Sequence, residues 1–371
     1  MGRKRRAYLH IGLAHSDAGL LEEALAEHAE ALEARGLRQP AASPEEMFRA
    51  AVEIRRDHRA WGYRRRDVEG TWAEICRRAH KRRDDVIVTQ ERFAAANPAQ
   101  IALLLDGLAG FEVHLVVTAR DLGSQLLAAW GAGVEAGRST SFSRFCGRVM
   151  DPDRSHEQAQ RFWAGQDLGA VLERWRAAVR APDRVHVVVV PPAADAARDT
   201  LWRAVGEIVG VDTAGLPLAE HPRAGLDVVG LAVLRMVNQA VDGRLPADAH
   251  AEVVRRYLAD GSRPEAATPA VPAERHRDLL AVGERWRKQL AEGGYDVHGD
   301  TTWLLPGHPE QGAPAPDQVP AEERLATATS ALADVLVEVT RLREHNQALE
   351  QRNAKLERKR RKLKRKVAAL G

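Results

Sequence analysis

Cysteine is almost missing: the 371 residues contain only Cys76 and Cys146. Two thiols build neither a disulfide framework nor a thiolate zinc site, which excludes the small bridge-dependent secreted scaffolds. Long hydrophobic runs are missing too, since no apolar stretch approaches the roughly 18 residues of a membrane span. The opening MGRKRRAYLHIGLAH has a charged start, but its apolar segment is too short for a secretory leader. These absences together predict a cytoplasmic chain with no membrane span. Glycine and proline vanish between Ala321 and Leu370, which marks that stretch off from the rest. Charge marks it off as well. Residues 321–371 carry 13 Lys and Arg against 7 Asp and Glu, so the preceding 320 residues are mildly acidic although the whole chain has a net charge of +3.

What is present reads as an α/β protein. Hydrophobic residues make up 44% of the chain, enough for a sizeable core. Four short runs, Ala7–Leu13, Asp85–Thr89, Glu112–Thr118 and Arg184–Val190, have the β-branched, doubly apolar character of buried parallel strands. Helical periodicity fills the gaps over Leu20–Ala34, Pro44–Arg59, Ala94–Leu108, Leu122–Gly131, Gln158–Val179 and Ala194–Val209. This alternation predicts a three-layer sandwich with a mainly parallel sheet. Strands are expected to stop near residue 212. Helices follow at Leu226–Val241, Ala247–Leu258 and Ala273–Ala291. The predicted organisation is a basic segment at 1–6, the α/β domain at 7–304, a Pro/Gly linker at 305–320 and a coiled coil at 321–371. The linker holds five prolines and two glycines.

The last segment repeats every seven residues. With Leu325, Leu332, Val339, Asn346, Asn353, Arg360 and Val367 at position a, position d is Ala328, Val335, Leu342, Leu349, Leu356, Leu363 and Leu370. A sustained 3.5-residue period predicts a coiled coil rather than a surface helix. Asn346 and Asn353 in the seam favour a parallel homodimer in one register, through residues 325–370. In that dimer Arg352 meets Glu357 of the second copy, while Lys359 opposes Lys364. Arg358–Lys366, RKRRKLKRK, has eight charges in nine residues and no aromatic. It is either a solvated end or a contact for a polyanion, which would be bound through phosphate or other anionic groups rather than by stacking.

The front of the chain, YLHIGLAHSDAG, resembles the opening of actinobacterial sulfotransferase-family proteins, which have a P-loop NTPase-like fold. There HIG is followed by Pro-Lys-(Thr/Ser)-Gly-Thr-Thr. The segments VIVTQERF (86–93), VHLVVTARDLGSQLLAAW (113–130), RFWAGQDLGAVLERW (161–175), RVHVVVVPP (184–192) and GYDVHGD (294–300) are similar to further family landmarks in kind and order. The resemblance covers about residues 7–304. It implies 3′-phosphoadenylyl sulfate as cofactor and sulfuryl transfer as activity.

The residues such chemistry needs are largely replaced. A loop that cradles phosphate offers converging backbone N–H groups at a helix start, glycine for the turn and lysine as a point charge. Here the lysine position is His15, Ser16 keeps a hydroxyl, and the glycine position is Asp17. Arg120 stands where the resemblance places the arginine for the nucleotide's 3′-phosphate. The serine expected eight residues later is Ala128, with Ser124 one helical turn earlier. In the family's Asn-x-Ser-Leu-Gly segment this chain reads RAGLD, Arg223–Asp227. Glu91 and His15 are the candidate catalytic groups; Arg120, Ser16, His15 and Ser124 are the candidate cofactor contacts. Ser16 or Asp17 reads more simply as an ordinary helix N-cap. His10, His15 and His114 would form a metal or acid–base site if the sheet's C-terminal edge gathered them. As strand residues, however, His10 and His114 suit satisfied core positions, and no metal is expected.

The leading expectation is therefore a degenerate sulfotransferase-like protein with no cofactor, serving as a dimeric binding or scaffold module. The alternatives are an active enzyme with an atypical loop and a polyanion binder acting through the basic tail.

Overall fold

The computed structural model describes residues 4–16, 18–192, 194–218, 226–245, 271–307 and 315–369. It is an α/β fold with a six-stranded, all-parallel sheet in the order β2-β3-β1-β4-β5-β6. The strands are β1 Arg6–His10, β2 Leu37–Arg38, β3 Asp85–Thr89, β4 Glu112–Ala119, β5 Val185–Val189 and β6 Asp296–His298. The central strands are buried nearly end to end, as runs such as EVHLVVTA and VHVVV require.

Helices cover the sheet. One face carries α1 (Ala18–Glu27), α2 (Ala29–Ala34) and α11 (Ala194–Val209). Their Leu21, Leu25, Leu32, Leu201 and Val205 pack with Tyr8, Ile87, Val116 and Val188 of the strands. Away from that cluster, α3 (Pro44–Arg55), α5 (Thr71–His80), α6 (Pro98–Gly107) and α10 (Leu168–Val179) pack on one another, and α10 on β4. Between these come α4 (Arg65–Val68), α7 (Leu122–Glu135), α8 (Phe142–Val149) and α9 (Glu157–Gln166); α12 (Val228–Val241), α13 (His276–Gly293) and α14 (Ala321–Ala368) follow.

The chain divides into two compact units. The first comprises Met1–Ala132, Thr140–Pro222 and Pro269–Ala313, and contains the sheet. The second comprises Gly133–Ser139, Arg223–Thr268 and Pro314–Gly371. In the second, Asp227 caps α12 by accepting the Gly230 amide at 2.6 Å. Val228 and Ala232 pack on Val319, and α12 lies against α14. Along the start of α14, Arg324, Thr327, Ala328, Ala331, Val335 and Glu338 are half-buried, whereas every residue from Val339 to Ala369 is exposed.

The expectation that strands stop near residue 212 is corrected by β6. Three residues flanked by Gly294 and Gly299 are too few to show alternation in sequence. The two-residue β2 was missed for the same reason. Two expected helices are also divided. Leu20–Ala34 breaks at His28. Gln158–Val179 breaks at Asp167, whose carboxylate accepts the indole N–H of fully buried Trp286 at 3.1 Å. The expected helix Ala247–Leu258 lies outside the described residues.

Gly299 closes β6 with φ +92°, and a Cβ there would sit 2.2 Å from the Val189 carbonyl oxygen. Gly36 has φ +79° but open space around it. Gly36→Ala is expected to cost about 1 kcal/mol in urea unfolding, from backbone strain alone. Gly299→Ala should cost about 2 kcal/mol or more, because the edge strand must also shift.

Candidate functional site

After β1 the chain crosses towards β2 and β3; after β4 it crosses the other way, to β5 and β6. Adjacent strands whose connections diverge leave a crevice at their C-terminal ends, where open α/β sheets bind ligands. That crevice is framed by residues 11–16 after β1 and by Arg120 and Asp121 after β4.

The β1 loop is built from close backbone contacts. The Ile11 amide donates to the Val116 carbonyl at 3.1 Å and the Leu13 amide to that of Thr118 at 2.6 Å, while the Thr118 amide donates to Gly12 at 2.6 Å. Gly12 has φ +98°, and an added Cβ would lie 2.9 Å from the Ala14 nitrogen and 3.2 Å from Glu91 Cα. Glycine is therefore what lets the segment after β3 approach the loop. His15 is left-handed, with φ 61°.

That approach brings Glu91 in. Its Oε2 accepts the His15 amide at 3.0 Å. A side-chain carboxylate thus holds a loop N–H of the kind that a bound phosphate would use. The Ser16 hydroxyl, fully buried, donates to the carbonyls of Leu13 and Thr118, the latter at 3.1 Å. Among the described residues no helix amide donates to it, and Asp17, the other candidate cap, lies outside the described residues. Gln166, at the end of α9, donates Nε2 to the Ala14 carbonyl at 2.9 Å.

Arg120 reaches the His15 carbonyl through Nη1 at 3.5 Å, and among the described residues its buried Nε has no hydrogen-bond partner. Asp121 does not pair with it. The Asp121 carboxylate instead accepts the Ser124 amide at 2.8 Å at the start of α7. The structure therefore gathers His15, Ser16, Glu91 and Arg120 in one place. Ser124 sits in the adjoining helix start and is joined to the loop by no hydrogen bond among the described residues. Of the RAGLD segment, Asp227 is a helix cap, while Arg223 and Gly225 lie outside the described residues.

Electrostatics at the loop are acidic. Burial, with the charges of Glu91 and Glu23, pushes the Glu22 carboxyl up from 4.5 to about 7. The proximity of Glu22 to Glu91 depends on how α1 folds back and leaves no signal in the sequence. Gln166 and Thr118 were missed for a similar reason, being polar residues with no motif around them.

The three histidines are not gathered. His10 lies between two threonines, with Nδ1 at 2.7 Å from Thr89 Oγ1 and Nε2 at 2.7 Å from Thr118 Oγ1. Complete burial lowers its pKa from 6.5 to about 4, so the ring is neutral. His114 pairs in register with Tyr8, two residues before His10, and lies nearer the start of the sheet. No helix among the described residues is long and apolar enough to cross a membrane. Comparisons with protein-family models, curated proteins and solved structures return no match for the chain.

Two pH effects of opposite sign follow. Between pH 6.5 and about 4 the unfolded chain binds a proton that buried His10 refuses, so stability falls as acid is added. The His10 ring resonances should keep neutral-form shifts down to about pH 5 in NMR titration. Between pH 4.5 and about 7 folded Glu22 keeps a proton that the unfolded chain releases, so its contribution to stability falls as pH rises. Glu22→Gln should stabilise the fold by about 1–2 kcal/mol at pH 8 and by nothing measurable near pH 4, read from urea unfolding.

Proposed function

We propose that the chain is a degenerate sulfotransferase-like protein whose nucleotide loop is closed by its own side chains, and that it works as a dimeric binding or scaffold module. The observation that carries this reading is the Glu91 carboxylate on the His15 amide at 3.0 Å. A phosphate arriving at that amide must displace an anion already bound there, and must do so beside Glu22 without the family's lysine. Losing a charge-assisted contact costs roughly 1.5–3 kcal/mol, and the added repulsion acts in the same direction. The crevice at the ends of β1 and β4 supports the P-loop-like resemblance, because the candidate residues of the family site fall there.

One observation favours an active enzyme: among the described residues Arg120 Nε, at the crevice, has no hydrogen-bond partner. Calorimetric titration with 3′-phosphoadenosine 5′-phosphate separates the two readings. The closed-loop reading expects no saturable heat at micromolar ligand. Micromolar binding that disappears in Arg120→Ala overturns it in favour of an enzyme that uses 3′-phosphoadenylyl sulfate.

The dimer rests on α14. From Val339 to Ala369 every residue of the helix is exposed, and it carries Leu342, Leu349, Leu356 and Leu363 on one side, each at least 40% exposed. A solitary helix of this composition is marginal in water, and a second copy covers that row, with Asn346 and Asn353 paired across the seam. Leu332 is exposed as well, but Ala328 and Val335 are half-buried, so the seam open at both positions starts at Val339. The basic run Arg358–Lys366 is exposed; a dimer doubles its charge and favours a polyanion there.

Sedimentation of the full chain should give a dimer at micromolar concentration. Leu349→Asp with Leu356→Asp should give a monomer with the far-UV signature of the α/β unit retained. A monomeric wild-type chain contradicts the dimer.

A further inference from the structure

A second group of polar side chains lies on the sheet face covered by α11, around the edge strand. The parallel register puts His186 of β5 beside Asp296 of β6, and Val188 beside His298. Because side chains alternate along a strand, His186, Asp296 and His298 share one face. His114 joins them from β4, two residues before the register partner of His186.

The contacts form a continuous string. Glu112 Oε1 lies 3.2 Å from His114 Nε2, and His114 Nδ1 lies 2.9 Å from His186 Nε2. His186 Nδ1 lies 2.6 Å from Asp296 Oδ2, which is also 2.9 Å from His298 Nε2. His298 Nδ1 lies 3.5 Å from Glu207 Oε2 of α11.

Counting protons along this string exposes a shortage. Neutral His114 and His186 together carry two ring protons, but three of their contacts need one: to Glu112, to each other and to Asp296. Neutral His298 carries one proton, yet both of its nitrogens face carboxylates.

A metal ion removes the shortage. We propose that His186 Nδ1, Asp296 Oδ2 and His298 Nε2 bind one divalent ion of the zinc type, with His114 and Glu207 orienting the two ligand imidazoles. The ion takes the place of a proton at His186 Nδ1 and at His298 Nε2, and each ring keeps its single proton on the other nitrogen, so the two rings change tautomer and lose no proton. His186 Nε2–H then donates to His114 Nδ1, His114 Nε2–H to Glu112 and His298 Nδ1–H to Glu207. Every ring is neutral and every nitrogen has a matching partner. Ligand histidines commonly hand their second N–H to a carboxylate or other acceptor in this way.

The three ligand atoms lie within 4.8 Å of one another. Metal–ligand bonds of about 2.0–2.1 Å need tetrahedral edges of about 3.3 Å. The two hydrogen-bonded edges must therefore open by about half an ångström. Asp296, 46% exposed on its side chain and in the edge strand, is the group free to move. Two imidazoles and a carboxylate suit zinc, cobalt or iron(II) rather than magnesium, which prefers oxygen ligands. Three protein ligands leave a further coordination position for water.

The test uses the full chain stripped of metal with a chelator and titrated with cobalt(II). The expected result is one ion per chain, with the visible d–d bands of a four- or five-coordinate site, displaced by one equivalent of zinc and not by magnesium. His298→Ala and Asp296→Asn should each abolish the bands while far-UV circular dichroism shows an intact fold. Glu207→Gln should weaken cobalt binding about 10–100-fold, and His345→Ala on the exposed α14 should change nothing. Absence of the bands in the wild-type chain overturns the assignment. So does binding that survives both His298→Ala and Asp296→Asn.

Discussion

Backbone amides that turn inward at the end of a strand need an acceptor, and at the end of β1 the chain supplies its own. The Glu91 carboxylate, bonded to the His15 N–H at 3.0 Å, is the contact on which the local architecture depends. Gly12 is required because its φ is +98° and an added Cβ would lie 2.9 Å from the Ala14 nitrogen, with Glu91 Cα at 3.2 Å. Ser16 turns its hydroxyl inward to Leu13 and Thr118 rather than outward. Gln166 ties Ala14 to α9. Glu22 is pushed towards neutrality by burial, and the same negative charge adds to the effect. A loop amide held in this way differs physically from one in an open cradle of unbonded N–H groups.

The sheet carries two polar networks, one at its centre and one towards the β6 edge. Near the C-terminal ends, His10 bridges β3 and β4 through Thr89 and Thr118. Towards the β6 edge, the histidines of β4, β5 and β6 are strung between Glu112 and Glu207. Both networks sit in surroundings that penalise charge and reward matched donors and acceptors. The first is satisfied by a single neutral tautomer, because threonine hydroxyls both donate and accept. The second is strung between carboxylates, which only accept, and so demands protons that neutral rings lack or a cation that replaces them.

Much of the fold was legible in the sequence because its central strands are long, β-branched and apolar on both faces. Asp85–Thr89 was read to the residue, and β1, β4 and β5 to within a few residues at their ends. The edge strands were not, since Leu37–Arg38 and Asp296–His298 are defined by register with a neighbour rather than by any pattern of their own. The candidate site was legible as a location, with His15, Ser16, Glu91 and Arg120 converging. Its internal bonding was not. That Glu91 reaches the His15 amide depends on the left-handed turn at His15 and the close pass at Gly12, and neither leaves a periodic signal. The histidine string was hidden for another reason: His114, His186 and His298 are far apart in sequence and meet only through parallel pairing, whereas a local motif would have kept its ligands within one turn.

The most direct measurement is the His15 amide in a heteronuclear NMR spectrum of the full chain, followed as inorganic phosphate is added. A loop closed by Glu91 predicts a His15 resonance that phosphate leaves in place and that Glu91→Gln displaces. A wild-type His15 amide that shifts to saturation with phosphate, and does not respond to Glu91→Gln, would contradict the closed loop.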